Sequence, residues 1–310
     1  MKSTDAYSIH PLSEETLPAA LALLDVALRP GHTLEWYRWK HLAPPAGPSW
    51  AWVAVAGTSV IGVRLVMRWP LLVDGEWGVA ARMVDTATSP AHRGSGVFRS
   101  LTLTALASLR AAADQPRFVM NTPNAQSRPG YCRMGWTLLP PIPHAYHLVR
   151  PRLRGPRVEE NFPLEQWPQS HQGYGIQTAR SGRYMRWRYQ LATLGSYQWL
   201  RLRESENPNG LVYRVRRARG ARLLLVMELF GSPRERCQLL SAAARREHAF
   251  MAIAPAGSNS WACRPPSAPL FVRGSSILAV RALNEVGCLM SDPLEASSWQ
   301  LSLGDVEDVL

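Results

Sequence analysis

Thr88-Ser89-Pro90-Ala91-His92-Arg93-Gly94-Ser95-Gly96-Val97-Phe98 is the stretch on which the reading of this chain turns. The alternating apolar run before it, residues 79–88, reads as a strand. Residues 97–113 are apolar-rich and free of Pro and Gly, and read as a helix. Between them Pro90 turns the chain, and Gly94 and Gly96 let the backbone approach a ligand closely. The free N–H groups of a helix start point at such a ligand, and the helix dipole favours an anion there. Arg93 adds a charge-assisted donor. The stretch therefore reads as a pyrophosphate cradle. It has neither the lysine and spacing of a P-loop nor the third glycine of a dinucleotide fingerprint, and taken alone it also describes a tight turn.

Working outward, residues 7–11 read as a strand. Ser13 opens a helix with Glu15 in its first turn, running to Leu28 and stopped by Arg29-Pro30-Gly31. Residues 50–56 and 60–69 read as a hairpin around Gly57-Thr58-Ser59, and Asp74-Gly75 makes a second turn. Residues 118–121 and 144–149 are strands, with a short helix over 127–134. The order predicts a mixed α/β domain over residues 1–150. Residues 151–173 carry Pro151, Pro156, Pro163 and Pro168 and read as a linker without regular structure. A second domain, residues 174–310, then restarts an earlier pattern. Trp36-Tyr37-Arg38-Trp39-Lys40 and Tyr184-Met185-Arg186-Trp187-Arg188 lie about 148 residues apart, each followed by a β-rich stretch, which suggests a tandem duplication.

A second motif lies one strand beyond the loop: Asn124, Ser127, Tyr131, Gly135 and Trp136. With it, residues 50–137 resemble the GNAT acyl-CoA-dependent N-acetyltransferases. Arg93-Gly94-Ser95-Gly96 is similar to that family's Arg/Gln-x-x-Gly-x-Gly/Ala loop, and the five later residues match its Asn, small residue, Tyr and Gly-aromatic offsets. The last loop position departs: Phe98 stands where the family has a small residue. More weakly, the Trp/Arg segments and the tail 299–305 resemble bacterial proteins with two GNAT domains in tandem. In the second half Leu229-Phe230-Gly231-Ser232-Pro233 replaces the glycine-rich loop, so that half resembles a degenerate copy without a coenzyme site.

The resemblance implies direct acyl transfer from acetyl-CoA, or another acyl-CoA, to the amine of a small molecule, with no metal. Arg93, Gly94, Ser95, Gly96, Val97 and Phe98 would hold the pyrophosphate. Thr86, Ala87 and Thr88 would offer backbone N–H groups, and Asn124 and Ser127 belong to the second motif. Tyr131 matches the family's general acid for the departing thiolate. Asp85, on the strand beside the reaction centre, is the candidate general base, and its alternative role is to hydrogen-bond the turn. His92 in the loop and Glu76 in a hairpin turn are read as solvated. His144 and His147 alternate on one strand without the makings of a metal pair, and no Ser-His-Asp arrangement is visible in the spacing.

Of 35 basic residues 33 are arginine, and 15 of them fall between Arg150 and Arg222 against five acids. This net +10 is either a solvated face or a surface for an anionic partner. It leaves open an aminoacyl-tRNA-dependent transferase of the Fem type, as well as a non-catalytic protein that binds acyl-CoA. Cys132, Cys237, Cys263 and Cys288 form no CxxC pair and read as reduced thiols of a cytoplasmic protein. No apolar run is long enough to span a bilayer, and residues 1–13 lack the apolar core of a secretory signal.

Overall fold

The computed structural model describes residues 6–112, 116–150, 155–168, 174–218, 220–256, 269–283 and 291–306. Cys263 and Cys288, and both ends of the expected linker, lie outside them.

The first half builds β1 (Ser8–Pro11), α1 (Leu17–Ala27), α2 (Leu34–Tyr37), β2 (Trp50–Ala56), β3 (Ser59–Val73), β4 (Glu76–Thr88), α3 (Val97–Ala111), β5 (Phe118–Asn121), α4 (Arg128–Arg133), β6 (Thr137–Leu138) and β7 (Ile142–Leu148). The second adds β8 (Val158–Glu160), β9 (Ile176–Thr178), α5 (Gly182–Met185), β10 (Gln198–Leu202), β11 (Gly210–Ala218), β12 (Ala221–Phe230), α6 (Pro233–Glu247), β13 (Met251–Pro255), β14 (Phe271–Ser276), β15 (Ala279–Ala282) and α7 (Leu303–Val306).

These strands make two mixed sheets. One runs β1-β2-β3-β4-β5-β15-β6, with β9 paired to the far end of β3. The other, taken in the matching direction, runs β8-β10-β11-β12-β13-β7-β14. The two orders correspond strand for strand, each with one parallel pair, β4/β5 and β12/β13. They have exchanged one strand. β7 leaves the first half to lie between β13 and β14, and β15 returns from the second half to lie between β5 and β6.

The expected division at residue 150 is thus not a division between sheets, because the strand 144–149 belongs to the second one. The expected linker is also corrected. It contains β8, paired with β10, and it buries Phe162, Leu164 and Trp167. Proline spacing excludes a helix there, but it leaves room for a three-residue edge strand. Helix α1 begins at Leu17 rather than Ser13. Ser13 and Thr16 instead bond each other in a turn, and Pro18 sits in the first helical turn, where its missing N–H costs nothing.

The repeated Trp/Arg segments meet at the centre of the molecule. Thr33 caps α2 by accepting from the Trp36 N–H, and Ser181 caps α5 by accepting from the Tyr184 N–H. Each short helix continues into a five-residue π turn, 38–42 and 186–190. There the Trp39 Nε1 donates to the Trp187 carbonyl at 2.8 Å, and the Trp187 Nε1 donates to the Trp39 carbonyl at 2.7 Å. The two indoles stack with centroids 5.9 Å apart. This reciprocal pair lies within one core shared by both halves, whereas α3 and α6 each cover a separate apolar cluster on the outer face of their own sheet.

Candidate active site

Strands β4 and β5 start side by side and then part. Among the described residues they pair at Ala81–Val119 and Arg82–Met120, so the edge of β4 from Met83 to Thr88 has no partner on the β5 side. An irregularity sits in this free stretch. Val84 and Thr86 pair with Leu65 and Arg64, leaving Asp85 as the extra residue of a bulge with φ +39°. Such a conformation is uncommon for a residue with a Cβ, and bulges re-aim side chains next to functional sites. Thr86, Ala87 and Thr88 follow it, with Ala87 buried in the central core.

At the end of β4, residues 90–92 make one 3₁₀ turn and the loop opens into α3. Gly94 and Gly96 are left-handed, at φ +84° and +86°, and a Cβ on either would meet open space. Gly96 is the N-cap, no side chain caps the helix, and its first turn holds no acid. The first N–H groups of a helix have no intrahelical partner, so this end faces outward with its donors free. Arg93, Gly94 and Gly96 are exposed and Ser95 is half-buried, its hydroxyl donating to the His92 carbonyl at 2.5 Å. Val97 is buried and anchors the helix on the sheet.

Asn124 and Ser127 take a different part. The Asn124 Oδ1 accepts from the Ser127 N–H at 2.8 Å, and the Asn124 carbonyl accepts from the Arg128 N–H. The pair shapes the turn that starts α4 and so aims Tyr131. Gly135, at φ +84°, ends that helix, and Trp136 packs 5.1 Å from the Tyr131 ring. Tyr131 is 4 % exposed. Its hydroxyl accepts from the Arg64 Nη1 at 2.8 Å, and Arg64 also donates to Thr102 on α3 at 2.5 Å. Phe98 closes the gap between α3 and α4. Its ring lies edge-on to Tyr131, and a Cβ on Gly130 would come within 3.0 Å of it.

Asp85 is not brought to Tyr131. It points to the opposite face of the sheet, under α2 and its π turn. The Lys40 Nζ, fully buried, lies 2.6 Å from its Oδ2, and the His41 Nε2 lies 3.1 Å from the same oxygen. Burial alone would raise the Asp85 carboxyl. The Lys40 ammonium and His41 outweigh it and hold the group well below the usual carboxylate range. Burial brings Lys40 down to about 8 against the pull of Asp85, and it lowers His41 as well. A carboxylate so firmly ionised is a counter-ion and a weak base.

The His41 Nδ1 bonds the Ser49 hydroxyl at 2.9 Å, so the fold does assemble the Ser-His-Asp chain that the spacing did not show. Lys40 already neutralises the carboxylate that would otherwise stabilise an imidazolium. The Ser49 N–H also donates to the His41 carbonyl, so the chain staples the 42–48 loop to the sheet. His92 is half-buried in the loop, Glu76 is exposed at its hairpin, and His144 bonds Ser276.

The second half places its own carboxylate where the first offers open donors. Helix α6 starts with a capping box. The Ser232 side chain accepts from the Glu235 N–H, and the Glu235 Oε2 accepts from the Ser232 N–H at 2.7 Å, with the Ser205 hydroxyl on Oε1. The Arg150–Arg222 stretch is no uniform basic face. Arg180 and Arg188 are buried, and Arg157, Arg186 and Arg201 each lie beside a glutamate. Among the described residues no group of His, Cys, Asp and Glu could hold a metal, and no helix is long and apolar enough to cross a membrane.

The family profile of the acetyltransferase (GNAT) domain matches residues 8–139. No curated protein matches the chain. Among solved structures, a GCN5-related N-acetyltransferase from Anabaena variabilis superposes with a TM-score of 0.69 at 11 % identity, over 90 % of this chain and 73 % of that one. A probable N-acyltransferase from Enterococcus faecalis gives 0.66 at 14 % identity, over 90 % and 73 %. A tandem GNAT protein from the clavulanic acid biosynthesis pathway gives 0.53 at 12 % identity, over 90 % and 99 %. Residues 8–139 thus match the GNAT acetyltransferase domain profile, and the chain as a whole has the fold of tandem GNAT proteins, with two such units.

Proposed function

We propose that this protein is an acyl-CoA-dependent N-acyltransferase that acylates the amine of a small molecule by direct transfer, with one donor site, in the first half. The observation that carries the reading is the outward-facing start of α3, with two left-handed glycines and no cap, at the end of a β4 edge that has lost its β5 partner. Residues 93–97 would hold the donor's pyrophosphate on backbone N–H groups. The N–H groups of Thr86 and Thr88, which point to the vacant edge of β4, would receive its amide chain and the thioester carbonyl, whose oxygen gains charge as the amine attacks; Ala87 between them pairs with Val63 on β3.

Tyr131 would give its proton to the sulfur as the carbon–sulfur bond breaks. Asn124 and Ser127 act through α4, by setting where Tyr131 sits. Asp85 enters as the counter-ion that fixes the bulge. Phe98 narrows the space between α3 and α4 relative to a loop with a small residue there. The reading takes acetyl as the acyl group, in line with the acetyltransferase domain profile that matches residues 8–139.

Isothermal calorimetry with coenzyme A tests the reading. One binding event per chain is expected, because Glu235 already occupies the corresponding helix end of the second half. Two equivalent events, or none, would overturn it.

A further inference from the structure

Among the described residues Arg64 is the fully buried charge on the α3 side of the first sheet, and the proposed chemistry has not used it. It lies on β3, is 0 % exposed, and has no carboxylate in reach among the described residues. Its guanidinium meets the Tyr131 hydroxyl, the Thr102 hydroxyl and the rings of Phe98 and Tyr131, at 5.1 and 5.7 Å, and its Nε has no partner. A buried charge is costly unless it is paired, and neutral hydroxyls compensate it in part.

The fold does not ask for this arginine. Val66 and Met83 pair across β3 and β4 under α3; Tyr213 and Val226 pair across β11 and β12 under α6. Two residues before Val66 stands Arg64, and two residues before Tyr213 stands Leu211, fully buried in a wholly apolar cluster. The half with the capped helix end fills the position with a leucine. The half with the open glycine loop keeps a cation there.

We propose that Arg64 is the positioning residue of the leaving-group acid, and that the charge missing from its surroundings is the Tyr131 phenolate formed during each turnover. This rests on the reading of Tyr131 as proton donor. Because Arg64 donates to the phenol oxygen, the O–H hydrogen is directed away from it and is free for the sulfur. When the carbon–sulfur bond breaks, its electron pair goes to sulfur. The thiolate takes the Tyr131 proton, and the guanidinium faces the new phenolate at hydrogen-bond distance. The amine nitrogen, which became cationic on attack, loses the proton that restores the phenol. The balance is thioester plus amine to amide plus thiol.

The test compares Arg64→Met, Arg64→Gln, Arg64→Lys, Tyr131→Phe and the Arg64→Met/Tyr131→Phe pair in the full chain, each checked for folding by circular dichroism. Two donors are used: acetyl-CoA, and the acetyl thioester of 5-thio-2-nitrobenzoate, whose far more acidic thiol leaves without a proton. With acetyl-CoA, Arg64→Met and Arg64→Gln are expected to lower kcat by about 10- to 100-fold with donor KM nearly unchanged, and Arg64→Lys is expected to recover most of the loss. With the acidic thiol the losses should nearly vanish. The double variant should be no slower than Tyr131→Phe, since both changes remove one proton transfer.

A merely structural arginine predicts equal losses with both donors and additive effects, and either result overturns the proposal. So does a folded Arg64→Gln chain that keeps wild-type kcat, whether or not Arg64→Met folds. Failure of the wild-type chain to bind or use acetyl-CoA is a different result, and it brings down the reading of the donor site along with this one.

Discussion

The two halves of this molecule answer the same structural problem with opposite electrostatics. In each, a π turn after a short capped helix carries a cation and a hydrogen-bonding residue toward the second strand of a hairpin. In the first half these are Lys40 and His41 on Asp85. In the second they are Arg188 and Tyr189, with Glu228 accepting from Tyr189 at 2.7 Å and from Arg180 at 2.6 Å. Asp85 is held below its usual range by its neighbours despite burial, whereas burial wins at Glu228 and raises it against Arg180. At the neighbouring helix ends the first half offers bare N–H groups and the second closes them with Glu235. A duplicated fold has kept its scaffold and its buried ion cluster in both copies. It has left the helix end without a side-chain cap in one.

That comparison breaks most completely if the halves are independent. Residues 1–150 expressed alone lack β15, the strand between β5 and β6, and they carry β7 with no sheet to join. They are expected to be insoluble or inactive. A soluble, monomeric fragment with full activity on the native acceptor would show that the exchange is dispensable.

The next effect is chemical. Tyr131→Phe keeps the packing on Phe98 and Trp136 and is expected to cut kcat by about 10²–10⁴-fold, the scale of a general acid, with little change in donor affinity. Steady-state kinetics showing near-wild-type turnover would leave Tyr131 as packing, and Tyr131→Ala would then lose stability instead.

The ion clusters give a third contrast, with opposite pH signs. Asp85→Asn strands a buried ammonium and is expected to cost about 3–5 kcal/mol, as for breaking a buried pair. Glu228→Gln leaves Arg180 bonded to Asp305 at 2.6 Å and should cost less. A folded carboxyl below its unfolded value of 3.8 contributes stability that is present above that value and is lost as pH falls through the folded one. A folded carboxyl above its unfolded 4.5 contributes below that value and loses it as pH rises through the folded one. Urea midpoints between pH 3 and 7 should therefore show a shallower acid-side decline for Asp85→Asn, and for Glu228→Gln a relative gain on going to neutral pH. The same slope in both variants would contradict the asymmetry.

The smallest effect sharpens the helix ends. Ser232→Ala removes a cap and should cost about 1 kcal/mol of stability without touching coenzyme A affinity. Gly96→Val, at a left-handed position, should weaken binding by at least about tenfold, roughly 1.4 kcal/mol. Thermal melts and calorimetry on the two variants should thus report on different properties.

Much of the site was legible because its signals are local. The strand, the turn, two glycines and a helix are contiguous in residues 79–111. Asn124, Ser127, Tyr131 and Trp136 have fixed spacings that one short helix turns into one packed cluster. The 148-residue repeat was legible too, and the structure turns it into the Trp39–Trp187 pair. What stayed hidden is pairing across distance. Nothing in His144 to Leu148 says which sheet the strand joins, since alternation fixes its faces and not its neighbours. Asp85 read as a candidate base or as a residue that bonds the turn, and nothing near it in the sequence points to Lys40 and His41, more than 40 residues earlier, which lie against it. Arg64 was one of two arginines, with Arg68, inside the apolar run of β3. The phase that buries it is plain in hindsight, but its partner on α4 is not encoded in the strand.

The exchanged strands also bear on how the chain is made. Synthesis from the N-terminus delivers β1 to β6 long before β15, so the first sheet waits with β5 and β6 unjoined until β15 is made. Over that interval the edges of both strands are open templates for pairing with other chains. Completing the sheet requires closing a loop of more than 130 residues between β6 and β15, a contact of high sequence separation and hence slow. The nascent first half is therefore expected to be a chaperone client until β15 has been made, and yield on expression should depend more on temperature and folding assistance than on the stability of the finished molecule.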